Sequence, residues 1–123
     1  MNVNRDLAAF AAVNGALAVI GGAFAAHGAG PAIKTLLQTG AQYQMVHAVL
    51  ALVCAVWPSR PRTIVLAGWM AAAGGLIFAA ALASIGLLGL GVMGAVAPVG
   101  GLLMIAGWLT VLIALFRSPS VNA

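Results

Sequence analysis

Only six of the 123 side chains carry a formal charge, five Lys or Arg and one Asp or Glu. They are Arg5, Asp6, Lys34, Arg60, Arg62 and Arg117. The chain is 64% hydrophobic and 5% charged, against roughly 25% charged in an ordinary soluble domain. No water-soluble fold hides that much hydrocarbon behind so few charges. A helix rises about 1.5 Å per residue, so about 20 apolar residues cross a hydrocarbon core of about 30 Å. Four stretches meet this requirement: residues 7–26, 38–57, 64–88 and 98–116. They predict one all-α domain, an integral membrane four-helix antiparallel bundle, with the lipid bilayer as its solvent. No length remains for a soluble catalytic domain.

The positions of the cations then set an orientation. A four-span chain puts its N-terminus, second loop and C-terminus on one side, and these carry Arg5, Arg60, Arg62 and Arg117. Lys34 alone falls on the other side. The positive-inside bias predicts both termini in the cytoplasm. The net charge of +4 is too scattered to track a phosphate backbone, so nucleic acid is not an expected partner. Arg5 before an apolar run, with Ala23-Phe24-Ala25 further on, has the look of a secretory signal. The run is longer than a signal core, and it reads as an uncleaved first span. Cys54 is the only cysteine. It excludes an internal disulfide and reads as a small buried apolar residue.

Small residues recur every fourth place: Ala8, Ala12 and Ala16, then Ala18, Gly22 and Ala26 in the first span, and Ala67, Ala71, Gly75, Ala79 and Ala83 in the third. Such spacing lets helix backbones approach closely in lipid. Gly28 is placed to end the first span in the left-handed conformation, with Gly30, Pro31 and Lys34 in the loop beyond it. Trp57 suits an interfacial anchor at the end of the second span. Gly89-Leu90-Gly91-Val92-Met93-Gly94 fits the dinucleotide fingerprint only as letters, because no strand precedes it and no acid follows Asp6. It reads instead as an apolar link at the outer interface. Ala-Gly-Trp occurs at 67–69 and 106–108, which is thin evidence for a duplicated hairpin.

The lack of acids excludes carboxylate-pair hydrolysis and acidic metal sites within the spans. No nucleophile triad is visible, so no catalytic residue or cofactor is expected, and no metal site is expected outside the one polar cluster. One polar constellation remains: His27 at the end of the first span, and Gln38, Gln42, Tyr43, Gln44 and His47 in the second. Tyr43 and His47 are four apart and Gln44 and His47 three apart, so each pair shares a helix face. In a hairpin of spans one and two, all six residues can converge near the outer leaflet. Unpaired amides and imidazoles cost several kcal/mol each in hydrocarbon and should face protein or water. An interhelical hydrogen-bonded clasp, a pocket for a small ligand, lipid headgroup or quinone-like ring, and a metal site are all open readings. Two histidines without carboxylate or thiolate are poor metal ligands. Asn14, midway along the first span, is the expected interhelical hydrogen-bond donor.

These residues also carry a resemblance. Gly22-Ala23-Phe24-Ala25-Ala26-His27-Gly28 resembles the Gly-Ala-Phe-Gly-Ala-His-Gly signature of the YgdD-like family. Thr39-Gly40-Ala41-Gln42-Tyr43-Gln44-Met45-Val46-His47-Ala48 resembles its Tyr-Gln-x-x-His-Ala segment, and Ala97-Pro98-Val99-Gly100-Gly101 with Ala106-Gly107-Trp108 resembles its Thr-Pro-Leu-Gly-Gly and Ala-Gly-Trp segment. That family is a domain-of-unknown-function family with small four-span membrane members. The resemblance implies fold and topology but supplies no activity. Where similar members have Phe-Ser-Gly-Ser-Leu-Tyr, this chain has Phe78-Ala79-Ala80-Ala81-Leu82-Ala83, stripped of hydroxyls.

The expectation is therefore a multi-pass protein of a bacterial inner (plasma) membrane. It would be a non-catalytic accessory or structural subunit, acting as a homo-oligomer or within a larger complex. The alternative is a small transporter, channel or lipid- or ligand-binding protein using the His/Gln/Tyr pocket. A membrane enzyme with His47 as general base is a third and weaker reading, since no partner acid is in view.

Overall fold

The computed structural model describes residues 2–117. Among them lie four long helices: α1 (Arg5–His27), α2 (Pro31–Ala55), α3 (Arg62–Leu88) and α4 (Ala97–Arg117), with a 3-10 turn at Gly91–Ala95 before α4. The predicted all-α antiparallel arrangement is what forms. Three segments, Arg5–His27, Arg62–Leu88 and Gly91–Arg117, are long and apolar enough to cross a membrane by composition alone. α2 is as long, at 25 residues, but its amides, Lys34 and His47 dilute its apolarity.

Local chemistry explains the helix ends. Asn4 caps α1, its side-chain oxygen accepting from Leu7 N at 3.0 Å, and Asp6 lies in the first turn where the dipole favours an acid. Gly28 ends α1, but not in the left-handed conformation expected of it: its φ is −116°. Space is what requires glycine there, because a Cβ would sit 2.7 Å from Cε1 of the Phe24 ring. The loop expected to hold Pro31 and Lys34 is shorter than predicted. α2 starts at Pro31 rather than at Gln38, with Pro31 at the first helical positions, where the missing N–H costs nothing. Gly89 does take the left-handed conformation, at φ 67°. There the N–H groups of Gly89 and Leu90 donate back to Ile85 O and Ser84 O, closing α3.

α1 packs on α2, α2 on α3 and α3 on α4, while α1 meets α3 only lightly and α4 has α3 as its main helical neighbour. The bundle is thus an open row with α3 near its centre rather than a closed square. Asn4 N–H donates to Ala55 O at 2.9 Å, tying the start of α1 to the end of α2. Arg5, Arg60, Arg62 and Arg117 consequently gather at one end of the bundle.

Small residues make this packing possible. On α3, Ala67, Ala71 and Gly75 are buried, as their four-residue spacing predicts, and Ala79 meets Gly40 of α2. A second face of α3 receives α4: a Cβ on Gly100 would lie 2.6 Å from Phe78 N and 2.7 Å from Gly74 O, and one on Gly107 would lie 3.1 Å from Ala67 O. On α1 the buried stripe is Leu7, Ala11, Asn14, Ala18 and Ala25. The ridge expected at Ala8, Ala12 and Ala16 is not the packed one, since Ala12 and Ala16 face outward. In so alanine-rich a helix several registers look alike. Cys54 is fully buried, against the position where a Cβ on Gly68 would meet it, as expected of a small core residue.

Candidate functional site

The polar side chains of the interior sort into two linked pairs. The first joins α1 to α2. Gln44 Nε2 donates to Asn14 Oδ1 at 2.9 Å, and Asn14 Nδ2 donates to Phe10 O one turn back at 3.0 Å. Asn14 is 1% and Gln44 5% exposed, so this bond is made in a dry interior where neither group has water as a substitute.

The second pair joins α2 to α4. His47, 5% exposed, lies 2.7 Å through Nδ1 from Tyr43 O. Trp108 Nε1 donates to His47 Nε2 at 3.0 Å. An indole N–H can only donate, so Nε2 carries the lone pair and Nδ1 carries the proton that Tyr43 O accepts. Both imidazole nitrogens are thus engaged. A metal ion could reach Nε2 only by displacing Trp108. The rings stack into a short aromatic array. Tyr43 meets Phe78 edge-on at 5.3 Å, and Trp108 meets His47 edge-on at 6.1 Å.

The six residues expected to converge do not all do so. Asn14 opposite Gln44 fixes the α1–α2 register, and His27 lies 13 residues beyond Asn14 on α1, about 20 Å along the axis. His27 is exposed at the helix end and makes no side-chain hydrogen bond among the described residues. Because α2 begins at Pro31, Tyr43 falls at the helix midpoint and His47 one turn beyond it, away from His27. Gln38 and Gln42 point away from the core. Gln42 and Tyr43 are exposed, Gln38 half-buried, and none of the three has a side-chain hydrogen bond among the described residues. Composition alone did not reveal Trp108 as the partner of His47. The only signal was its appearance in the second Ala-Gly-Trp.

Between α2 and α4, over α3, runs a cleft of about 510 Å³ lined by Thr39, Tyr43, His47, Phe78, Gly101, Met104, Ile105 and Trp108. A neighbouring hollow of about 430 Å³ touches Gln42, Tyr43, Val46, His47 and Trp108. Both exist because α4 reaches α2 through the Trp108 side chain instead of packing on it. Among the described residues, no three His, Cys, Asp or Glu side chains come together in a way that could hold a metal ion.

Comparison with known proteins follows the same lines. Residues 21–101 match DUF423, a family of proteins of unknown function. The chain is 34% identical over 111 residues to the UPF0382 membrane protein SAB0533 of Staphylococcus aureus (strain bovine RF122 / ET3-1), covering 86% of this chain and 91% of that one. It is 34% identical over 110 residues to the UPF0382 membrane protein YwdK of Bacillus subtilis (strain 168), covering 84% and 89%. It is 32% identical over 101 residues to the UPF0382 membrane protein SH2409 of Staphylococcus haemolyticus (strain JCSC1435), covering 78% and 83%. No solved structure matches the chain. The matched segment holds both histidine signatures and the start of α4, and α-helical spans are the form that bacterial plasma-membrane proteins take. The chain is a member of the DUF423 family, a multi-pass membrane protein whose relatives are membrane proteins of unknown function.

Proposed function

We propose that this protein is a non-catalytic accessory component of the membrane that works by lateral association, with further copies of itself or within a larger complex. The observation that carries this reading is Gln42. It lies next to the midpoint of α2 on its outward face, among exposed Val46, Val49 and Val53, with no hydrogen-bond partner among the described residues. A primary amide facing hydrocarbon costs several kcal/mol by transfer estimates, whereas amides are common glue between membrane helices. Gln38 stands one turn away on the same side. The outward Ala12 and Ala16 of α1 supply small-residue spacing that the bundle itself leaves unused. A non-catalytic role is supported by the chemistry: the single acid, Asp6, is at a helix end, and both His47 nitrogens are engaged.

In a Cys54→Ala background, a cysteine replacing Gln42 is expected to cross-link in native membranes. The product is either twice the 12.2 kDa chain or a heavier species containing one other protein. A cysteine replacing Leu102, 67% exposed on α4, serves as the collision control. Equal cross-linking at both positions would sink the proposal. Gln42→Leu is expected to weaken association about fivefold, the worth of one interhelical hydrogen bond.

The arginine-bearing end of the bundle is placed in the cytoplasm by the same proposal. A cysteine replacing Arg60, in that background, is expected to react with a membrane-impermeant maleimide only after the cells are opened. Labelling of intact cells would reverse the orientation.

A further inference from the structure

We infer that the cleft between α2 and α4 binds a neutral, planar, lipid-soluble ring bearing hydrogen-bond acceptors on opposite edges, the chemistry of a quinone. This inference does not depend on lateral association through Gln42, which lines the adjoining hollow rather than this cleft.

Four features of the cleft select this class. Its walls are ring faces and edges, those of Tyr43, Phe78 and Trp108, with Met104 and Ile105 completing an apolar lining. Flat aromatic surfaces reward a flat ligand through offset or edge-on contacts. The lining has no Asp, Glu, Lys or Arg, and both ring nitrogens of His47 already have partners. A charged headgroup would find no counter-ion here. The cleft also lies at the depth of the α2 midpoint, beyond the reach of a phospholipid headgroup seated at the surface.

The fourth feature is a pair of unused hydroxyls. Tyr43, 50% exposed, and Thr39 line the cleft, and neither hydroxyl has a hydrogen bond among the described residues. Ser84 and Thr110, by contrast, donate to the carbonyl one turn back, at 2.8 and 2.7 Å. Thr39 and Tyr43 are four apart on one helix face, about 6 Å along the axis. His47 offers the ligand nothing, so the hydroxyls are the donors that remain. A volume of about 510 Å³ accommodates such a ring with the first part of an alkyl tail, the rest passing into lipid. Only binding is inferred: no electron acceptor or donor in the protein is invoked.

Gly101 provides the test. It lines the cleft, and no atom lies within 4 Å of where its Cβ would sit. Gly101→Leu therefore places a branched side chain in the cleft from a position where its Cβ meets nothing. In a protein retaining Trp108 as its only tryptophan (Trp57→Phe, Trp69→Phe), reconstituted in phosphatidylethanolamine/phosphatidylglycerol nanodiscs, decyl-ubiquinone is titrated against Trp108 fluorescence. Saturable quenching is expected. Gly101→Leu should raise the apparent Kd about tenfold or more, and Tyr43→Phe, which keeps the ring and removes one donor, about fivefold. Decanol should not compete. The inference is overturned by quenching that rises linearly with the quinone-to-lipid ratio, by unchanged affinity in both variants, or by displacement with decanol, which would mark a site for any alkyl chain.

Discussion

Gly100→Leu is expected to break the α3–α4 contact, while Gly101→Ala, one residue along the same helix, leaves the protein at least as stable as before. A Cβ at position 100 would come within 2.6 Å of Phe78 N and 2.7 Å of Gly74 O, and one at Gly74 within 2.7 Å of Gly100 O and 2.8 Å of Met104 N. These are backbone atoms of a facing helix, which cannot rotate aside as a side chain can. The helices must separate, and the loss spreads along the seam, because a Cβ at Gly107 would likewise come within 3.1 Å of Ala67 O. In lipid no hydrophobic drive restores a separated pair, so dispersion lost at the crossing is lost outright. A cost of about 3 kcal/mol or more is expected for Gly100→Leu, at the upper end of overpacking penalties. Gly101 has open space around it, and Gly101→Ala should gain up to about 1 kcal/mol from helix propensity. Reversible unfolding in mixed micelles would measure both. Equal effects at the two glycines would mean that the close crossing is not what holds α4 in place. The cleft would lose its α4 wall in Gly100→Leu, so quinone binding should fall with it.

The second large effect lies at the Asn14–Gln44 bond. Asn14→Leu and Gln44→Leu should each cost about 1–2 kcal/mol, since each strands a polar group in a dry interior and loses an interhelical bond. The double variant should cost less than the sum of the two, because it leaves no amide stranded between the helices. A double-mutant cycle therefore yields a coupling of about 1 kcal/mol. A strictly additive cycle would show that the 2.9 Å contact contributes nothing to the pairing of α1 with α2. The same variants separate stability from binding: neither residue lines the α2–α4 cleft, so ligand affinity should be unchanged in whatever fraction remains folded.

How far these features were legible beforehand depends on the kind of signal each one left. Four helices could be counted because length and apolarity are properties of the chain itself. α2 starts earlier than composition suggests because Lys34 looks like a loop residue, although Pro31 after Gly30 is a recognisable helix opening. Asn14 stood out as an interhelical hydrogen-bonding residue because a lone amide in a long apolar run has few alternatives, but between the helices it accepts from Gln44 instead of donating as expected. Its partner was legible only as one of several glutamines. The packed face of α1 was misread because alanine occupies nearly every position, and in lipid both faces of a helix are apolar. Sequence periodicity then gives no contrast between inside and outside.

Composition thus determined that the chain would cross a membrane as helices, since the cost of unpaired backbone in hydrocarbon permits little else. The signatures around His27 and His47 marked the family. Tertiary structure decided which polar groups meet. Helix register carried His27 about 20 Å from the Asn14–Gln44 contact, and the glycine crossing of α3 and α4 brought Trp108 to His47 across 61 residues. That distinction has a physical cause: membrane insertion sums over residues one at a time, whereas a hydrogen bond between helices depends on where two separate surfaces come to rest.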